Sequence, residues 1–314
     1  MTQARQWVAV DFGGPEVLRC VDVDVPEPRS GQVTIAVRAC GMNPADAKHI
    51  APGQDRALLP LALGYEVAGI VTALGPDTEL ASGGGAAGDE VVAQVSGGYT
   101  TAITAPAASV YAKPPALTFP EAANLLLVGT TAADMLHACG LRPGETVLLH
   151  GAAGSVGVSV LQQARTLGAR VVGTAGPAGF DLVRRFGGTP LEYGPGLLER
   201  VREAAPEGVA AALDTVGSAE AGDVSLALVR DRRRVVTIAA APRAKADGYV
   251  FVGASNPESG PFRTRARSRI LGLARDGNLV VPMAQTFPFE QAPAALRTLT
   301  SKHPPGKLAL VSDG

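Results

Sequence analysis

The chain has 314 residues, which suits two domains better than one ordinary core and so predicts a cleft between them. A formal net charge of −1 and a pI near 6.4 exclude the broad basic footprint of a nucleic-acid or anionic-membrane binder. Three scattered cysteines, Cys20, Cys40 and Cys139, exclude a disulfide framework or a CxxC metal knuckle and fit a reducing cytoplasm.

The opening MTQARQWVAVDFGGPEVLR lacks the basic, apolar, small-residue order of a secretory signal, and no apolar run reaches the length of a membrane span. A soluble protein is expected. The first third reads as short strands, among them 33–37, 68–72 and 90–93, broken by Pro-Glu-Pro and Gly-Gly-Gly turns; this pattern predicts a compact, largely antiparallel β domain. Thr118-Phe119-Pro120-Glu121 has capping-box spacing ahead of a helix-compatible run from Ala122 to Leu127, and marks the domain boundary.

Beyond Glu145 apolar strand candidates alternate with helical stretches: 146–150, a helix through Ala164, then 170–174, 211–216, 234–238 and 249–252. Such alternation implies βαβ units and a parallel sheet with helices on both faces. After Ser255 the texture is mixed, with a helix expected over 267–274 and a last strand at 308–311, so the tail is expected to return to the first domain. Arg263, Arg265, Arg267 and Arg269 read as a solvated surface stretch.

Gly151-Ala152-Ala153-Gly154-Ser155-Val156-Gly157 directly follows the strand at 146–149 and opens a helix carrying Val156, Val160 and Ala164 on one face. A pyrophosphate needs backbone N–H groups at a helix N-terminus and an approach free of Cβ atoms, which Gly151, Gly154 and Gly157 supply. No Lys-Ser or Lys-Thr follows, which disfavours a phosphate-loop hydrolase. An NAD site places an acid near the end of the second strand to bond the ribose 2′-hydroxyl; Val171 to Pro177 contains none before Asp181, which favours NADPH. Arg184 and Arg185 lie several residues on, as counter-charges or as surface groups.

Taken together, Gly144-Glu145-x-x-Leu148-x-x-x-Ala152-Ala153-Gly154-Ser155-x-Gly157, with Gln162 and Arg165, resembles the nucleotide-binding signature of the zinc-independent quinone oxidoreductases, the zeta-crystallin-like family of the medium-chain dehydrogenase/reductase superfamily. The match extends to Phe12-Gly13-Gly14-Pro15-Glu16-Val17-Leu18, Gly41-Met42-Asn43-Pro44-Ala45-Asp46 and Gly64-Tyr65-Glu66-Val67-Ala68-Gly69. It continues through Gly129-Thr130-Thr131-Ala132, Asp214-Thr215-Val216-Gly217 and His303-Pro304-Pro305-Gly306-Lys307. Ser155 departs from the family's usual second glycine, and Tyr65 from the side chain many relatives carry there.

The resemblance implies an α/β fold: a Rossmann doubly wound parallel sheet plus a GroES-like, mainly antiparallel β catalytic domain. The expected divisions are 1–121 for the catalytic domain, 122–254 for the dinucleotide-binding domain and 255–314 for the return. Zinc alcohol dehydrogenases of the superfamily carry a Cys where this chain has Asn43 and a His where it has Tyr65, and neither replacement is a normal zinc ligand. The expectation is no metal, with NADPH passing a hydride to a quinone or conjugated carbonyl, an acceptor that delocalises the incoming charge.

By the same resemblance Asn43 and Thr130 line the nicotinamide end, with Asn43 alternatively a turn cap before Pro44. Tyr65 is either a hydrogen-bond or proton donor to the substrate oxygen or a half-buried aromatic; Asp46, Lys48, His49 and His150 are expected to be surface or structural groups. Ser155 and Val156 are expected to meet the pyrophosphate, Thr174, Ala175 and Gly176 the adenosine ribose or phosphate, and Tyr193 the adenine side. Ile238, Ala239, Phe251 and Val252 follow the fifth and sixth strands towards the nicotinamide, and Lys307 reaches a cofactor oxygen or stays a surface lysine. A homodimer is expected through the apolar strand at 249–252, with a quinone or enone as the small-molecule partner. The alternatives are an enone double-bond reductase in secondary metabolism and a non-catalytic NADPH-binding protein.

Overall fold

The computed structural model describes residues 2–53, 55–301 and 305–312. His303 and Pro304 of the closing motif lie outside the described residues. The chain forms two compact units, one from residues 1–127 and 281–314, the other Val128–Val280.

In the first unit a sheet of seven strands runs in the order Met283–Pro288, Lys307–Val311, Gln32–Gly41, Glu66–Leu74, Glu90–Gln94, Val110–Ala112, with Ala102–Pro106 also pairing on Gln32–Gly41. Only the first pair is parallel. Val33, Ile35 and Val37 point into the core at strand period, and Leu308 and Leu310 join them from the chain's end. Thr2–Ala9, Leu18–Val25 and Leu61–Ala62 form a second small antiparallel sheet. Trp7 ties it down, its indole N–H donating to the Phe289 carbonyl at 2.9 Å. Gly41 lets the central strand pass close to the next segment, because a Cβ there would lie 1.9 Å from the Ala123 carbonyl oxygen.

The second unit is a six-stranded, wholly parallel sheet ordered Thr189–Glu192, Arg170–Ala175, Thr146–His150, Ala211–Asp214, Val235–Thr237, Val250–Phe251. Thr146–His150 is buried along its whole length, as expected for an apolar strand covered on both faces. Val147 and Leu149 face the helices Leu126–Ala138 and Ser155–Thr166, whereas Leu148 faces Leu197–Ala204 and Ala219–Leu228. Each such buried side chain contributes on the order of 2 kcal/mol. The chain therefore has the expected α/β architecture, a doubly wound parallel sheet with a mainly antiparallel β unit.

Three boundaries differ from the sequence expectation. The run from Ala122 to Leu127 is not one helix: a short helix Phe119–Ala122, with Glu121 accepting the Thr118 N–H at 2.8 Å, stops before Leu126–Ala138 begins. Asn124 holds the break open, donating to the carbonyls of Pro120 and Leu308 while accepting the Met42 N–H. The helix expected over 267–274 runs Ser259–Arg275. It belongs to the second unit rather than to the returning tail, because Ile270 packs over Gly129 and Arg263 pairs with buried Asp134 at 2.8 Å. Among the described residues no helix is long and apolar enough to cross a membrane.

Candidate active site

In the second unit the strand Thr146–His150 ends on Gly151, whose φ of +78° is a left-handed conformation that glycine adopts without strain. A side chain there would also collide with Thr215 Oγ1 at 2.4 Å, and one at Gly157 would meet the Gly151 carbonyl oxygen at 2.3 Å. The turn is pinned to the neighbouring strand, with Ala152 N–H donating to the Thr174 carbonyl at 2.8 Å and Gly151 N–H to Thr174 Oγ1 at 3.2 Å. Helix Ser155–Thr166 starts at once with Gly154 as its N-cap. The first-turn N–H groups of Ser155, Val156 and Gly157 have no carbonyl one helical turn back, and the helix dipole adds partial positive charge beside them.

Gly151, Gly154, Thr174, Ala175, Gly176 and Tyr193 line one pocket of about 440 Å³, completed by His150, Ala153, Val216, Ser218, Glu220 and Ala221. Tyr193 is 59% exposed and flanks Gly176, where a Cβ would come within 3.4 Å of its hydroxyl. The cradle fits a dinucleotide: Gly154 is exposed, with only the Gly151 carbonyl oxygen near its Cβ position, at 3.3 Å. Ile238, half-buried, and Ala239, exposed, follow strand Val235–Thr237; Phe251 closes the edge strand Val250–Phe251 and buried Val252 follows it. Thr130 is fully buried in helix Leu126–Ala138.

The pocket lining carries a carboxylate that sequence reasoning missed. Glu220, in the first turn of helix Ala219–Leu228, accepts the Gly194 N–H at 3.0 Å with both oxygens. Arg184 and Arg185 do not line the pocket; Arg184 pairs with Asp181 at 3.0 Å and lies over Phe180, and Arg185 lies over Phe186. His150, also in the pocket lining, is buried; burial pushes its imidazole down to about 4, and Nε2 lies 3.2 Å from Ser225 Oγ.

The first unit holds a buried polar cluster. Asn43 caps the short helix Pro44–His49, and its N–H donates to Asp46 Oδ2 at 2.7 Å. Its side chain turns the other way, with Nδ2 donating to Glu66 Oε1 at 3.1 Å and Oδ1 accepting from Lys307 Nζ at 2.5 Å. Lys307 also donates to the Met42 carbonyl, and Glu66 Oε2 accepts the Leu127 N–H at 2.9 Å. Lys307 is only 4% exposed, so it is not the cofactor contact or surface lysine expected from the sequence; its ammonium is spent inside the first unit. Burial raises the Glu66 carboxyl and lowers the Lys307 ammonium, while their opposite charges work against both shifts.

Asp46 is fully buried, and Tyr99, also fully buried, donates its hydroxyl to Asp46 Oδ2 at 2.9 Å. Asp46 Oδ1 has no hydrogen-bond partner, and burial pushes the carboxyl up to about 7. Tyr65, half-buried, precedes Glu66 and joins His49 through its hydroxyl at 2.9 Å from Nδ1. Glu66, Tyr99 and the Tyr65–His49 pair escaped the sequence reading because their partners are far along the chain. Among the described residues no group of three His, Cys, Asp or Glu side chains is placed to hold a metal.

Residues 29–115 match the family described as alcohol dehydrogenase GroES-like domain, and residues 191–310 that described as zinc-binding dehydrogenase. Over 98% of the chain, the synaptic vesicle membrane protein VAT-1 homolog of Rattus norvegicus is 30% identical across 84% of its own length. The quinone oxidoreductase of Sus scrofa is 42% identical over 52% of this chain. The chain belongs to the quinone oxidoreductase group of the medium-chain dehydrogenase/reductase superfamily. A solved structure of a mycobacterial protein complexed with NADPH superimposes at a TM-score of 0.83, with 29% identity over 98% of this chain and 100% of that one.

A spectinabilin polyketide synthase protein of Streptomyces orinoci is 34% identical over 98% of this chain, yet the match spans 14% of that protein. The match to the Sus scrofa quinone oxidoreductase likewise spans 50% of that enzyme.

Proposed function

We propose that the chain is an NADPH-dependent oxidoreductase that reduces a quinone or a conjugated carbonyl without zinc. The observation that carries this reading is the ammonium of Lys307 on Asn43 Oδ1. In the superfamily's zinc enzymes the position of Asn43 supplies a thiolate; here the only acceptor of that side chain already bonds a buried cation. A divalent ion at that oxygen would stand beside a like charge, while Asn43 Nδ2 and Tyr65 Oη are held by Glu66 and His49. The donor set does not fit zinc. Lacking a Lewis acid, the site suits acceptors whose conjugation spreads the incoming negative charge.

When bound, the reduced nicotinamide supplies the hydride. The chain's own part is to hold the pyrophosphate on Gly154, Ser155, Val156 and Gly157, the adenosine side among Thr174, Ala175, Gly176 and Tyr193, and the nicotinamide end near Asn43, Thr130, Ile238, Ala239, Phe251 and Val252. The acid-free end of strand Arg170–Ala175 supports NADPH, as does the NADPH complex of the mycobacterial relative. Glu220 in the pocket favours NADH as a second reading, since a carboxylate repels a 2′-phosphate. The polyketide synthase relative favours an enone over a quinone as acceptor. The edge position of Val250–Phe251 supports a homodimer, and the scattered cysteines fit the cytoplasm.

The test is oxidation of NADPH, and of NADH beside it, with a panel of quinones and enones. Turnover with NADPH and either acceptor class is expected. Equal rates with both cofactors would overturn the NADPH assignment, and tight NADPH binding with no turnover would make the chain a binding protein.

A further inference from the structure

The oxyanion created by hydride addition needs a proton, and the sequence leaves Tyr65 open between donating it and packing as a half-buried aromatic. Two tyrosines stand near Asp46, and they differ in a telling way. Tyr99 is wholly buried, and its hydroxyl proton is committed to Asp46 Oδ2 at 2.9 Å. Tyr65 is half-buried, and its hydroxyl meets His49 Nδ1 at 2.9 Å, a partner able to donate as well as accept. The Tyr65 and His49 rings also lie nearly parallel, with centroids 5.8 Å apart and planes 20° apart.

We propose that Tyr65 is the proton donor of the reaction and that His49 is a relay residue that recharges it from solvent. The assignment rests on the reductase reading above. With Nδ1 protonated, His49 donates to the Tyr65 oxygen, which leaves the phenol O–H free to point at an acceptor oxygen. As the oxyanion forms, the Tyr65 O–H bond breaks and an O–H bond forms on the acceptor. The Nδ1–H bond then breaks to restore the phenol, while Nε2 takes a proton from solvent. The imidazole ends neutral, as its other tautomer, and exchange with water resets it. The proton balance closes with one proton from solvent per hydride delivered, and no further reductant is needed.

The placement of the pair suits this path. Tyr65 adjoins fully buried Glu66, whose carboxylate holds Asn43, the residue proposed beside the nicotinamide. His49, the last residue of helix Pro44–His49, is half-exposed and follows exposed Lys48, so the relay runs from interior to surface within a few ångströms. Burial pushes the Tyr65 phenol up to about 12, which keeps its proton in place until an oxyanion claims it. The sequence offers Tyr65 as a proton donor or a half-buried aromatic and His49 as a surface or structural group; their pairing across 16 residues appears only in the fold.

Tyr65→Phe and His49→Gln both keep the shape of the site, and glutamine keeps a hydrogen-bonding group but cannot pass a proton. Each is expected to lower kcat about 100-fold with the best acceptor, while NADPH affinity changes by less than about twofold. His49→Ala is expected to regain activity with added imidazole, a rescue that a merely structural histidine would not show. In the cofactor-free protein, Tyr65→Phe is expected to move the ¹⁵Nδ1 resonance of His49, assigned by its loss in His49→Gln. The proposal is overturned if His49→Gln keeps kcat within about twofold of the unsubstituted protein, if imidazole restores nothing, or if the Nδ1 resonance stays put. Normal turnover in the unsubstituted protein alongside any of these sinks the relay alone; no turnover there with any quinone or enone sinks the reductase reading with it.

Discussion

Gly154 and Gly157 sit three residues apart on one turn, yet alanine meets a different obstacle at each. At Gly157 a Cβ would lie 2.3 Å from the Gly151 carbonyl oxygen and 2.8 Å from two backbone atoms of Ala152. Backbone contacts that short displace the turn, at an overpacking cost of about 3 kcal/mol, of which alanine's better helix propensity returns about 1 kcal/mol. The net loss of about 2 kcal/mol corresponds to roughly 4–8 °C in the melting transition. At Gly154 the nearest obstacle is the Gly151 carbonyl oxygen at 3.3 Å, and φ −74°, ψ 164° is backbone that alanine adopts freely. Gly154→Ala is therefore expected to melt with the unsubstituted protein, the lower entropy of its unfolded chain, worth about 0.5 kcal/mol, offsetting the tight contact. Its methyl group nevertheless takes up the approach to the helix N-terminus, and NADPH affinity is expected to fall at least about tenfold, or about 1.4 kcal/mol. Calorimetric titration with NADPH beside a thermal melt reads both quantities. Unchanged NADPH affinity in a folded Gly154→Ala variant would refute the seating of the pyrophosphate on this turn.

Burial holds the Asp46 carboxyl at about 7, above its ordinary 3.8. Its contribution to stability is therefore full below about pH 4 and lost as the pH rises through about 7, so Asp46→Asn is expected to flatten the fall in stability between about pH 4 and pH 7. Parallel denaturation curves for the two proteins across that window would refute it. Lys307→Met removes the buried ammonium and leaves Asn43 Oδ1 and the Glu66 carboxylate without it, an expected loss of about 3–5 kcal/mol in chemical denaturation; a loss below about 1 kcal/mol would mean the cluster does not depend on that charge. Burial pushes the thiols of Cys40 and Cys139 up to about 12 and about 11, and both are buried, whereas Cys20 is exposed. A thiol reagent at neutral pH is expected to label Cys20 quickly and the other two only on unfolding; rapid labelling of Cys40 in the folded protein would contradict its burial.

What was legible in the sequence is local. The strand at 146–150, its glycine turn and the helix that follows are adjacent in the chain and carry their own signals: apolar run, missing Cβ atoms, apolar helix face. The edge position of 249–252 followed from its place last in the βαβ series. The polar cluster of the first unit was not legible, because Lys307 reaches Asn43 across 264 residues and nothing near Lys307 distinguishes it from a surface lysine. The break in the helix run at Ala122 to Leu127 was hidden for the same reason, since Asn124 answers to carbonyls and N–H groups at Leu308 and Met42. The early start of helix Ser259–Arg275 was masked by Gly260, Pro261 and a run of arginines, of which Arg263 finds its partner Asp134 only in the fold. Glu220 escaped because a glutamate in a first helical turn ordinarily answers to the helix dipole, and only the fold turns it towards Gly194 and the pocket.

Direct hydride transfer to a conjugated acceptor is tested most directly with NADPH deuterated on the transferring face of its nicotinamide and an enone substrate, followed by mass spectrometry and NMR of the product. One deuterium on the β-carbon, formed by protein that retains full activity after exhaustive chelation, is expected. Product without the label, or activity that disappears on chelation and returns only with zinc, would contradict it.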